Sequence, residues 1–415
     1  MLRDPNVRRV VLARFISRSG GEAAFFVGIW GKAAFELGAD AVALAWVIAA
    51  TGISGLIGSA IAGMLIDRFG PKRVLLTGEI VFVPVALSML LVESLGQLTA
   101  VAFLIGLVSG PLYTSIASLP PFLTTDPEEL SRVNGWVETA GMAALISGTA
   151  AGAALASFVS LDAIFVFDAV TSIIAVALVA GITIRSVRRG PDRRGGLDQL
   201  REGFRFAYAH PRLRFYVLIG TSVWLLFGLF GALEPLFFRD VLGTGPEAIG
   251  WVNSVFGMGL VLGTLVAPRL PAAARGARGV VTLVALNGLG AILYVGTALI
   301  PVVAFGGFTW GIIIGTFAPI VRTLIHLNSP EALYGRITGT VGVHAEAAKL
   351  LPLVAAPAMA VAFGVQRTLA ASGLGLTVLA LAVWRTASRL DATRAVPLPP
   401  VELPAVWDEP ISPTP

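Results

Sequence analysis

Two apolar runs, 41–66 and 74–92, are separated by one charged turn made of Asp67, Arg68, Phe69, Gly70, Pro71, Lys72 and Arg73. As a helix, each run is long enough to cross about 30 Å of hydrocarbon, so the charges between them belong at a membrane surface. Similar runs recur along the chain. Counting those separated by charge or by proline and glycine clusters gives twelve predicted spans: 8–35, 41–66, 73–93, 98–123, 133–159, 162–184, 214–238, 247–268, 279–300, 302–327, 337–364 and 367–388. Composition agrees, with 56% hydrophobic and only 13% charged residues, where a soluble domain carries about a quarter charged. The chain therefore reads as an all-α integral membrane protein.

Six spans precede and six follow one long hydrophilic stretch, the form expected of paired repeats. The expected organisation is an N-terminal half over 1–184, a linker over 185–212, a C-terminal half over 213–390 and a tail over 391–415. In the linker, Leu197, Leu200, Phe204 and Ala207 recur at steps of three and four, with Asp198, Arg201, Glu202 and Arg205 on the other face. That spacing predicts an amphipathic helix on the inner membrane surface. The tail, rich in proline from Pro397 to Pro415 and poor in apolar periodicity, is expected to be disordered.

The net charge of +5 is explained by orientation and calls for no nucleic-acid partner. Most of the 30 basic residues fall in loops on one side, whereas Lys32, Arg239 and Arg367 fall on the other. This asymmetry predicts that both termini and the linker are cytoplasmic in a cell inner (plasma) membrane. The excess of arginine over lysine points to a GC-rich bacterial genome. The polar N-terminus lacks a signal-peptidase pattern, so no cleaved signal is expected. The absence of cysteine removes disulfides, thiolate metal sites and cysteine nucleophiles. His210, His326 and His344 are scattered, and no paired aspartates or histidine motif suggest catalysis at a membrane surface. No enzyme, metal or cofactor is expected, and the chain is expected to act as a monomer.

Ionisable groups inside spans are costly and mark candidate sites. Arg14, Arg18 and Glu22 lie four residues apart on one helical face, where Arg18 can pair with Glu22. Glu22 is the first candidate for a titrating or cation-attracting group, with a structural ion pair as the alternative. Asn134 and Glu138 are also four apart in the fifth span. Asp168, Glu79 and Glu234 are further candidates, for which a hydrogen-bonded structural role is an equal alternative. In the eleventh span Glu346 and Lys349 are spaced to pair, near His344. Arg18, Asn134, Tyr113, Phe26, Trp136 and Phe230 are candidates to line a cavity for amphipathic compounds.

The turn at Gly63, Asp67, Arg68, Gly70, Lys72 and Arg73 closely resembles the signature loop between the second and third helices of major facilitator superfamily transporters. The resemblance implies a gating motif whose charges latch one state of an alternating-access cycle. The corresponding second-half stretch keeps Gly263 but has Ala267 where the aspartate would fall. Gly148 and Gly152 match part of the antiporter motif of this superfamily, with Thr149 in place of its proline. The fourth span lacks the arginine that many proton-coupled drug exporters carry there. Further segments at 119–122, 128–135, 200–206, 234–243 and 333–337 resemble the drug:proton antiporter branch that includes macrolide, tetracycline-aminoglycoside and enterobactin exporters. Together the likeness covers roughly 8–390. It implies twelve helices in two pseudo-symmetric halves and export of amphipathic small molecules in exchange for protons. A siderophore or lysophospholipid carrier of the same fold is the alternative.

Overall fold

The computed structural model describes residues 4–124, 126–184, 196–330 and 333–392, with side chains from 201 onward in the third stretch. The tail beyond 392 and the first part of the linker lie outside the described residues. Among the described residues fourteen α-helices follow in order: α1 (Pro5–Ala23), α2 (Ala41–Phe69), α3 (Pro71–Ser88), α4 (Leu95–Ser118), α5 (Pro127–Phe158), α6 (Asp162–Ala180), α7 (Gly196–Ala209), α8 (Pro211–Ser222), α9 (Trp224–Leu236), α10 (Pro246–Val266), α11 (Ala277–Val295), α12 (Ile300–Leu327), α13 (Tyr334–Phe363) and α14 (Val365–Ala392). Their ends follow local chemistry. Asp4, Asp40, Ser94 and Asp126 cap α1, α2, α4 and α5 by accepting from first-turn amides. Gly70 ends α2 at φ +81, a left-handed conformation that suits glycine, and Pro71 opens α3.

Eleven of the helical segments are long and apolar enough to span a membrane, with α8, α9 and a π-helical turn to Val241 counting as one. The remaining span is α1, which continues through π-helical turns Ala24–Ile29 and Lys32–Glu36. Its arginines and Glu22 make it too polar to qualify on composition, and it lies against α5 and α6. Twelve membrane-crossing helices result, in two six-helix halves. Pairings in the first half repeat in the second: α2 packs on α4 as α10 does on α12, α3 on α6 as α11 on α14, and α1 on α5 as α9 on α13.

The repeated pairs are held at backbone contact. A Cβ on Gly110 of α4 would lie 2.6 Å from the carbonyl oxygen of Gly55 on α2, and one on Gly106 would run into that of Thr51. In the second half, a Cβ on Gly315 of α12 would run into the carbonyl oxygen of Leu260 on α10. Small residues let helices approach in this way where hydrocarbon supplies no hydrophobic drive between them.

The linker helix α7 has protein partners that its periodicity does not announce. Amphipathic periodicity placed it on the membrane surface, but it packs on α13 and α8 of the C-terminal half. Glu202 receives Arg336 Nη1 at 2.5 Å, and Tyr208 Oη meets His344 Nε2 at 2.7 Å. Of its apolar stripe, Ala207 is buried and the Phe204 ring lies 5.1 Å from that of His344, so α13 meets that end of the stripe.

Gly106→Leu is expected to lower stability by about 2 kcal/mol or more through overpacking against α2. Gly375→Ala, where a Cβ meets nothing within 4 Å, is expected to be neutral or slightly stabilising. Thermal unfolding of the purified proteins in detergent checks both.

Candidate functional site: a face between the two halves

The halves meet through α5 with α10 and through α2 with α9 and α13. Contacts between them gather at one end and at mid-depth. There Arg239 donates from Nη1 to the carbonyl oxygens of Ala34 (2.7 Å) and Ala39 (2.9 Å). Thr149 Oγ1 and Ser254 Oγ are 2.8 Å apart across the α5/α10 seam. A Cβ on Gly250 would lie 2.7 Å from Ala153 Cβ, from the carbonyl oxygen of Thr149 and from Val27 Cγ2.

The opposite, arginine-rich end makes no such closure among the described residues. Asp67 and Arg68 are exposed at the end of α2, and Asp67 makes no ion pair or hydrogen bond among the described residues. Arg68 lies over its neighbour Phe69, and Arg73 is exposed. Lys72 donates to the carbonyl oxygens of Ala180 (3.0 Å) and Ile182 (2.6 Å), tying α3 to the end of α6 within its own half. Gly63 has open space around it. None of the residues of this turn bridges the two halves among the described residues.

Between the closed and open ends, α1, α4 and α5 present a charged and aromatic face. Arg18 Nη2 lies 2.6 Å from Glu22 Oε1, the pair that the four-residue spacing predicts. Glu22 is 7% exposed. The guanidinium carbons of Arg14 and Arg18 each sit 5.1 Å from the centroid of the Tyr113 ring, within cation–π range. A Cβ on Gly141 of α5 would lie 3.6 Å from Arg14 Nε and 3.7 Å from Arg18 Cδ, so α5 runs beside both arginine side chains. Glu138 is exposed on α5 as an electrostatic neighbour of both arginines. Tyr113 is 46% and Trp136 42% exposed, and Asn134 is exposed one turn before Glu138. Phe26 stacks edge-on with Phe25 and Trp30 at 5.1 Å from each.

Two sequence candidates are placed elsewhere. Phe230 is buried at 2% exposure among Tyr294 and Trp310, so it belongs to the core of the second half and does not line a cavity. Glu234, also buried, accepts from Tyr294 Oη at 2.5 Å and from Asn253 Nδ2 at 3.3 Å. These satisfied bonds match the structural alternative read from the sequence. Asp168 of α6 and Glu79 of α3 are buried inside the first half. Lys349 pairs with Glu346 at 2.6 Å and lies 4.8 Å from the Trp224 ring centroid.

Sequence reading missed Arg239 as a bridge between halves and Lys32 as the centre of a network with Asp162 at 2.9 Å and Glu36 at 3.7 Å. Their scarcity was the available signal, since few cations occur on that side of the chain.

Two pseudo-symmetric six-helix halves that close at one end over a charged face define a membrane transporter. Residues 10–351 match the family model described as Major Facilitator Superfamily, and the chain belongs to that superfamily. It is 24% identical over 376 residues to "Multidrug efflux pump Tap" of Mycobacterium tuberculosis, covering 85% of this chain and 86% of that one. It is 30% identical to "Multi-drug resistance efflux pump PmrA homolog" of Lactococcus lactis, over only 29% of each chain. Among solved structures, the nucleoside transporter NupG superposes with a TM-score of 0.71 at 11% identity, over 92% of this chain and 99% of that one.

Two outcomes are expected from this geometry. Arg18→Ala leaves Glu22 buried without its cation and is expected to cost about 3 kcal/mol, while the double variant Arg18→Met/Glu22→Leu recovers most of the loss; thermal denaturation checks this. In a chain with no native cysteine, Thr149→Cys with Ser254→Cys is expected to form a disulfide across the seam that stops transport until reductant is added. Mass spectrometry and a flux assay check it.

Proposed function

We propose that this chain exports amphipathic small molecules in exchange for protons by alternating access. The carrying observation is the α1/α4/α5 face, where the Arg18–Glu22 pair and Arg14 lie against Tyr113 with Glu138 as their electrostatic neighbour. Such a face offers charge and aromatic surface to one substrate at a time. The names of the full-length relatives, multidrug efflux pumps, support the drug-export reading. With the basic loops on the cytoplasmic side, the described conformation is open to the cytoplasm, and both termini lie there. The seat is a bacterial plasma membrane, and one chain is a complete transport unit, with halves over 1–184 and 213–390.

In this reading the signature turn from Gly63 to Arg73 acts as the inner gate. Its charges find partners in the second half only when the inner end closes and the Arg239 and Thr149–Ser254 contacts part. The carboxyls available to carry the proton are Glu22, Glu138, Asp168 and Glu234.

One observation favours a second reading. Two guanidinium groups at the same face suit an anionic headgroup, as in a lysophospholipid or a siderophore.

The discriminating experiment loads proteoliposomes with ethidium, a macrolide, a tetracycline or a lysophospholipid and imposes a pH gradient. Gradient-dependent flux of at least one drug is expected, with Glu138→Gln slowing the cationic dye by about tenfold. Flux indifferent to the gradient overturns proton exchange, and movement of the lysolipid alone moves the assignment to a lipid carrier.

A further inference from the structure

Glu79 and Asp168 share a cavity of about 60 Å³ inside the first half, bounded by α1, α3, α4 and α6. Both are nearly inaccessible, at 3% and 1% exposure. Glu79 Oε1 accepts from Ser17 Oγ at 2.8 Å, but Glu79 Oε2 and Asp168 Oδ1 have no hydrogen-bond partner among the described residues. Asp168 is held against α1 where a Cβ on Gly20 would lie 2.7 Å from its Oδ1. Ser172, one turn after Asp168, also has an unpartnered buried hydroxyl. Sites of this polarity and size hold water.

The charges that face the pair come from every neighbouring helix. Arg14, Arg18 and Glu22 are on α1, Tyr113 on α4, and Glu138 on α5 beyond the arginines. Arg18 is committed to Glu22. Arg14 has no ion pair among the described residues and lines the same cavity as Glu79 and Asp168. With both carboxyls ionised, this buried group holds one negative charge more than it has cations. With one proton between them it is neutral. Two like charges in one buried site do not both ionise readily, and a buried uncompensated charge is costly. No third carboxylate, histidine or cysteine joins the pair among the described residues, so the donor set suits a proton better than a metal ion.

We propose that Glu79 and Asp168 form a carboxyl pair that holds one shared proton and exchanges it through the opening beside Arg14, Arg18 and Tyr113. This rests on the proton-exchange reading above and assigns the exchanged proton to a place inside the first half, apart from the exposed face that meets substrate. In loading, an O–H bond forms on one carboxylate oxygen with a proton taken from water on the outer side. In unloading, that bond breaks and the proton passes to cytoplasmic water past Tyr113, which is half exposed. No other bond changes.

The test uses the full chain in proteoliposomes, with the drug that the native protein moves. It compares flux driven by a pH gradient with counterflow exchange at equal pH. Glu79→Gln and Asp168→Asn are expected to lose gradient-driven flux by about tenfold or more while keeping counterflow. Glu79→Asp, which retains a carboxyl, is expected to restore gradient drive in part. Infrared difference spectra of the native protein are expected to show a protonated-carboxyl band that disappears in either amide variant.

Gradient-driven flux that survives both amide variants overturns the assignment while leaving proton exchange intact. Loss of counterflow together with gradient drive makes the pair structural and also overturns it. A native protein that moves drug without regard to the gradient overturns the broader reading, and the infrared band then reports whether the pair holds a proton at all. Should Glu79→Gln fail to reach the membrane, Ser17→Ala removes the 2.8 Å donor on Glu79 and keeps both carboxyls. It is expected to displace the pH midpoint of driven flux with counterflow unchanged, and an unmoved midpoint overturns the proposal.

Discussion

Backbone-to-backbone packing between helices is the constraint on which the rest of this molecule depends. In hydrocarbon, apolar side chains gain little by leaving lipid for one another, so association rests on close van der Waals contact. The contacts of α4 on α2 and of α12 on α10 meet that demand in the same way, with a glycine of one helix against a carbonyl of the other. Because the pattern repeats, each half is a unit with its own rigid seams. Contacts between the two units are fewer than those inside them.

That division of labour also explains why charge is tolerated in α1. Arg14, Arg18 and Glu22 face α4 and α5, where Tyr113 and Gly141 receive them. A pair such as Arg18–Glu22 adds little net stability, since desolvation offsets most of the attraction. Its worth lies in fixing two long side chains at a face that must stay polar inside a membrane.

Much of this was legible in the chain itself. Apolar runs of sufficient length announced the spans, and the first half's turn at Gly70 was marked by its glycine and proline. The i, i+4 spacing of Arg18 and Glu22 announced their pair. What stayed hidden needed distance in sequence to become proximity in space. The Tyr294 bond to Glu234 links residues 60 apart, and the Ser17 bond to Glu79 links residues 62 apart. Phe230 looked like cavity lining because aromatic character alone does not tell core from surface. The periodicity of α7 was read correctly as one apolar stripe, but a stripe does not say whether lipid or protein covers it. Here α13 meets the Phe204 end of it through His344, whose residue type gave no hint of the contact.

The seam between α5 and α10 has one more consequence. Gly250 brings the backbone of one helix against Thr149 and Ala153 of the other, and Arg239 is the long side chain that spans the halves beside it. Contact that close leaves no room at Gly250 for a file of water between the two helices, and a barrier of that kind is what lets a membrane hold its potential while the other end of a carrier stands open.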